Sequence, residues 1–135
     1  MSLVLEIVTP KAKVYEETID TVVLPTTSGE ISVLPGHIPL VTQLEAGELG
    51  VTTGTKTEML VVGRGLARVE GDRVSVLAES AIAVDEIDEN AVEEALRRAQ
   101  DALKDKAGLN AAEKDQLEGA MRFALAQLTL KRKRR

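Results

Sequence analysis

Few side chains in this chain of 135 residues can do covalent or acid–base chemistry. It has a single His and no Cys, so thiol chemistry and zinc sites of the Cys/His kind are excluded. His37 has no Ser or Cys motif around it that it could activate as a base. Gly63-Arg64-Gly65 lies between two apolar, strand-like runs rather than before a helix, so it is not a phosphate loop. The adjacent carboxylates Glu16-Glu17 and Glu93-Glu94 fall on segments expected to face water, where solvation accounts for them. The chain is therefore expected to be an interaction part rather than an enzyme in its own right.

The elements that must position these residues divide into two kinds. Residues 1–84 are rich in Val, Thr and Leu and carry all four Pro. Residues 3–8 read as a strand stopped at Thr9-Pro10, and residues 21–24 as another stopped by Pro25. Ser28-Gly29 reads as a turn before residues 31–34. Pro35-Gly36 suits the central positions of a type II turn, where Gly takes positive φ. Residues 49–53 and 57–62 flank Gly54 as a hairpin, and 65–70 and 73–78 flank Gly71-Asp72 as a second. Many short strands without helical periodicity indicate a β-sandwich or barrel. Apolar residues make up 44% of the chain and aromatics 1%, so its core must be aliphatic.

Residues 85–135 contain no Pro. Val92, Ala95, Leu96, Ala99 and Leu103 share one helical face, with Asp88 placed as N-cap. Gly108 ends that helix, and Asn110 with Glu113 has the spacing of a capping box for the next. Leu117, Ala120, Met121, Ala124 and Leu128 form the second stripe. The short connection between the helices makes them an antiparallel hairpin. Each Ala in place of Leu gives up about 2 kcal/mol of burial, so the hairpin is expected to dock weakly on the sandwich. The fold class is α+β: a sandwich over 1–84, then a hairpin over 85–135.

The net charge of −5 and the scarcity of aromatics argue against nucleic acid. No stretch approaches the ~20 apolar residues that span a bilayer, and the N-terminus has no leader pattern. Six acids lie between Asp85 and Glu94, whereas the chain ends in Lys131, Arg132, Lys133, Arg134 and Arg135. The nearest acid upstream is Glu118, so the tail is expected to be free to meet an acidic partner surface. The alternatives are a solvated helix end and a hook for a membrane surface, but the tail lacks the large apolar residues of an inserting helix.

The segment Gly29-Glu30-Ile31-Ser32-Val33-Leu34-Pro35-Gly36-His37-Ile38-Pro39-Leu40 resembles the signature of the epsilon subunit family of F-type ATP synthases. The run Arg73-Val74-Ser75-Val76-Leu77-Ala78-Glu79 is similar to a later strand of that family. At Gly63-Arg64-Gly65-Leu66 the chain departs from it, since the family usually has Gly-Gly-Phe or Gly-Gly-Ile there. The resemblance implies a flattened sandwich of about ten strands followed by a helical hairpin. It implies a non-catalytic rotor subunit of the central stalk, coupling proton flow through the c ring to rotation and ATP synthesis. Its partners would be the gamma subunit, the c-subunit ring, and the alpha and beta subunits through the C-terminal helix. It would sit peripherally on the cytoplasmic side of the bacterial plasma membrane, or else on a plastid thylakoid. The hairpin would swing between two positions and inhibit ATP hydrolysis in one of them. Carried over residue by residue, Glu30 and His37 become candidates for contact with the c ring or stalk, and Gly29, Pro35, Gly36 and Pro39 shape the loop. A free-standing binding module with a helical dimerisation arm, and an accessory domain that binds a small molecule, are the alternative classes.

Some members of that family bind ATP through aliphatic-Asp-x-x-Arg-Ala at the start of the first helix. Here the stretch is Ile87-Asp88-Glu89-Asn90-Ala91-Val92, with Ala91 where the Arg would stand. Arg98 lies where such members often carry a further base. A polyphosphate needs several converging charge-assisted donors, so Asp88 reads as an N-cap and no cofactor is expected. Isolated protein should accordingly show no change in its thermal melt at 1 mM ATP. A site with a dissociation constant of about 10 μM would add roughly 2.7 kcal/mol under that condition. A shift of several degrees that Asp88→Ala abolishes would reverse this reading.

Overall fold

Alternation in Leu3-Val4-Leu5-Glu6-Ile7-Val8 puts Leu3, Leu5 and Ile7 on one face, and all three are fully buried. The same period of two recurs through ten strands in a computed structural model that describes residues 2–104 and 108–133. The strands are β1 (Leu3–Val8), β2 (Lys13–Ile19), β3 (Thr21–Thr26), β4 (Gly29–Val33), β5 (Leu40–Leu44), β6 (Gly47–Thr53), β7 (Lys56–Val62), β8 (Gly65–Glu70), β9 (Arg73–Ala78) and β10 (Ala81–Ala83). A 3-10 turn at Val84–Glu86 leads to α1 (Glu89–Lys104) and α2 (Ala111–Lys133).

The strands form one sheet in the order β10-β7-β6-β3-β5-β8-β9-β1-β2, with β4 added to β3. Neighbours are antiparallel except β1 and β9, which are parallel. β3 and β5 meet at a single residue pair, Thr26 with Leu44. There the sheet folds over, so that β4, β3, β6, β7 and β10 form one layer and β5, β8, β9, β1 and β2 the other. The inward side chains of both layers, among them Leu24, Leu49, Val51, Val69 and Val74, make one aliphatic core.

The hairpins around Gly54 and Gly71 stand where turn chemistry puts them, and both glycines have a φ of 61°. Pro25 does not end its strand. It lies inside β3, paired with Glu30 of β4. Its carbonyl accepts a hydrogen bond from Glu45 N–H (3.0 Å), away from β4. Its missing N–H points the same way, beyond the last β6 pair at Val23, so no ladder bond is lost. β2, β5 and β10 carry too little alternation to be read from composition. β2 is largely exposed and β10 has three residues.

The core cluster and the side chains packed on it run from Leu3 to Ala81 and include no helical residue. A fragment of residues 1–84 should therefore melt cooperatively and give dispersed amide resonances. A fragment without either property would show that the sandwich depends on the hairpin.

Candidate interaction surfaces and the docked hairpin

The loop after β4 is built as its sequence requires. His37 N–H donates to Leu34 C=O (3.1 Å), closing a turn with Pro35 and Gly36 at its centre and Gly36 at φ 85°. The imidazole Nδ1 of His37 donates to Ile38 C=O (2.7 Å), so this nitrogen is occupied inside its own loop. Ile38 projects into solvent, 75% exposed. At the other end of β4, Gly29 has a φ of 108° after the Thr27-Ser28 turn, and Glu30 is exposed beside it. Glu30 and His37 thus flank the strand, separated by more than about 13 Å of extended chain. The structure does not bring them into one site.

It does bring together residues that sequence reading did not single out. Leu66 of β8 and Leu77 of β9 are cross-strand partners on the outer face of their layer, 46% and 55% exposed. Val8 lies next to Leu77, and Val41 of β5 is exposed on the same layer. Leu34 and Ile38 are exposed large aliphatics as well, 53% and 75%. The signal was present in the alternation. Ala67 and Val69 take the inward phase of β8, and Val74, Val76 and Ala78 that of β9, so Leu66 and Leu77 stand in the outward phase.

The hairpin covers the other layer. Leu60 and Val62 of β7 point into the sandwich core, while Val61, between them, points outward into a second cluster. That cluster joins Val61 to Ile87, Val92, Ala124, Leu128 and Leu130, with Met59 and Phe123 partly buried at its edge. Asp88 Oδ1 caps α1 by accepting from Asn90 N–H (3.1 Å) and Ala91 N–H (3.2 Å). Asn110 Oδ1 caps α2 by accepting from Glu113 N–H (2.8 Å). The stripes differ from their expected membership. Ala95 and Ala120 are exposed, while Gly119, Gln127 and Leu130 are buried, because α2 faces both α1 and the sandwich.

The tail is not free in this arrangement. Lys131 Nζ donates to Val84 C=O (3.3 Å), Arg132 pairs with Glu93 (2.6 Å) and Lys133 pairs with Glu48 of β6 (3.0 Å). Glu93 and Glu48 are remote from the tail in sequence, and only the tertiary fold brings them near it. Arg134 and Arg135 lie outside the described residues.

A groove of about 890 Å³ opens between the hairpin and the sandwich. Its charged lining consists of Glu79, Glu86, Asp88 and Glu113, with no Lys or Arg among the described lining residues. Arg98 is exposed, 4.0 Å from Glu94, and sits on the order of 15 Å along α1 from Asp88. The two residues considered for nucleotide binding do not converge.

The family described as ATP synthase, Delta/Epsilon chain, beta-sandwich domain matches residues 2–84. This chain belongs to that family. Similarity also extends past the sandwich. An ATP synthase epsilon chain of Dehalococcoides mccartyi is 44% identical over 98% of this chain and 94% of its own length. One from Bacillus cytotoxicus is 37% identical over 93% of this chain and 86% of its own. In solved structures, a chain of the Euglena gracilis mitochondrial ATP synthase assembly of OSCP, F1 and c-ring superposes with a TM-score of 0.74. It is 25% identical and the match covers 96% of this chain and 81% of that one. A chain from the Tetrahymena thermophila mitochondrial ATP synthase central stalk and c-ring shares the fold, with a TM-score of 0.59 at 10% identity. All ten strands found here fall within the matched residues, and the two helices follow them. Among the described residues no helix is long and apolar enough to cross a membrane.

Asp88→Ala should destabilise the hairpin by about 1 kcal/mol, and Asp88→Asn by much less. Helix content followed by circular dichroism through a denaturant series measures both. Equal losses for the two variants would mean that Asp88 acts by charge rather than as a cap.

Proposed function

We propose that this chain is the non-catalytic central-stalk subunit of an F-type ATP synthase, coupling proton flow through the c ring to rotation and ATP synthesis. The observation that carries the reading is similarity to epsilon chains through both the sandwich and the hairpin. The exposed strip of Val41, Leu66 and Leu77 supports it, since a rotor subunit needs a permanent apolar attachment face. In this reading the strip meets the gamma subunit. The loop at Pro35-Gly36-His37 and the Glu30 end of β4 offer two separate contacts to the stalk foot and c ring. The subunit sits peripherally on the cytoplasmic side of the bacterial membrane. An affinity-tagged copy should bring down gamma with the alpha and beta subunits. Recovery of the tagged chain alone, or only of copies of itself, would instead favour the free-standing module.

The hairpin is the regulatory part in this proposal, restraining ATP hydrolysis when α2 leaves the sandwich and meets the catalytic subunits. Its internal ion pairs are exposed and worth about 1 kcal/mol or less each, so an acidic partner surface can compete for the same bases. The groove that would have to hold a nucleotide presents four carboxylates to a polyphosphate, which supports the absence of useful ATP affinity.

Two outcomes follow for the assembled enzyme. Glu30→Lys should lower ATP-driven proton pumping more than ATP hydrolysis, and equal pumping would remove Glu30 from the coupling contacts. Deleting residues 131–135 should raise hydrolysis at low salt and flatten its salt dependence. Lowered hydrolysis would assign those bases to the docked state alone, and unchanged hydrolysis at low and high salt would mean that the tail acts in neither state.

A further inference from the structure

Arg64 sits in the two-residue link between β7 and β8, and its side chain reaches across to α2. Nη1 donates to Asp115 Oδ1 (2.9 Å) and Nη2 to the Asp115 backbone C=O (3.2 Å). The guanidinium then lies where a side chain on Gly119 would be. A Cβ built there would stand 2.6 Å from Nη2, 2.7 Å from Cζ and 2.8 Å from Nε. The Arg64 side chain is 20% exposed, and its buried Nε has no hydrogen-bond partner among the described residues. Glu79, 3.6 Å away, lies on the sandwich side of the same group.

Apart from a long, exposed ion pair of Arg122 with Glu45 (3.9 Å), little else fixes this half of the helix to the sandwich. From Ala111 to Arg122, Gly119 is the one buried position among the described residues, and Leu117 and Met121 are half-buried. The apolar contacts of α2 with the sandwich come from Ala124, Leu128 and Leu130 further along. Lys131 and Lys133 tie down the far end. Glycine inside a helix costs about 1 kcal/mol relative to alanine, and here that cost accompanies a seat for a cation.

We propose that Arg64 is a latch that holds the hairpin docked through Asp115 and Gly119, and that its release lets α2 peel from the sandwich starting at its first half, uncovering Ala124. The proposal rests on the reading of the hairpin as a movable element. A charge-assisted pair with Asp115, closed over a helix that has no competing side chain, sets how often the docked state opens.

The absence of cysteine allows a direct test on the full chain. A cysteine placed by Ala124→Cys, at a position 5% exposed, reports hairpin opening through its rate of labelling by a small aromatic disulfide reagent. A second reporter, Val74→Cys, reads opening of the sandwich core. Arg64→Ala should accelerate labelling at the first site on the order of tenfold and leave the second unchanged. Gly119→Ala should also accelerate it, because the new methyl displaces the guanidinium, although alanine is the better helix former. In the Arg64→Ala background, Gly119→Ala should no longer accelerate labelling, and it slows it by up to about fivefold to the extent that the released helix unwinds. The latch is overturned if Gly119→Ala slows labelling in both backgrounds, if Arg64→Ala leaves it unchanged, or if both reporters accelerate together. Faster labelling in Arg64→Ala with unaltered ATP hydrolysis of the assembled enzyme would uphold the latch and contradict the inhibitory role of the hairpin.

Discussion

Leu60, Val61 and Val62 are buried one after another on opposite faces of β7, and this forces two cores onto a single strand. A strand alternates its side chains with a period of two, so a continuous apolar run can be dry only if something covers its second face. In this chain the cover is the hairpin, seated on Val61. The sandwich core on the other side of β7 closes without it. The two parts therefore share a strand but not a core, and the weaker cluster is the one that can open. The Ala-rich helices limit what the second cluster contributes, while Lys131, Lys133 and Arg64 supply polar ties around its margin.

This division places function on two surfaces with different demands. Leu66 and Leu77 stand on the layer away from the hairpin and are presented by paired, internally bonded strands, which gives a rigid face for lasting attachment. Gly65 fixes part of that geometry. A Cβ there would fall 1.9 Å from Leu77 O, so β8 and β9 approach as only glycine allows. The hairpin face is held by exposed ion pairs and a small apolar seat, terms that salt and competing charges can shift.

Much of the fold was legible. Strong alternation and turn residues located β1, β8, β9 and the hairpin around Gly54, and cap chemistry located both helix starts at Asp88 and Asn110. Pro25 misled because a proline breaks a strand only where its missing N–H faces a partner. β2 was silent because it is an outer strand with most side chains in water. The pairing of the tail with Glu48 and Glu93 was invisible because it joins residues far apart in sequence. The same holds for Arg64 and Gly119. Each is unremarkable in its own segment, and only the docking of α2 makes them neighbours. The outward leucines were readable, since they violate the alternation around them.

The central claim is that the hairpin opens as a unit while the sandwich stays closed. Native-state amide hydrogen exchange of the whole chain under increasing denaturant measures this residue by residue. The account predicts that amides of α1 and α2 exchange through one opening of lower free energy, while those of β1, β8 and β9 exchange at the global value. Convergence of helix and strand amides on a single free energy in the absence of denaturant would contradict it.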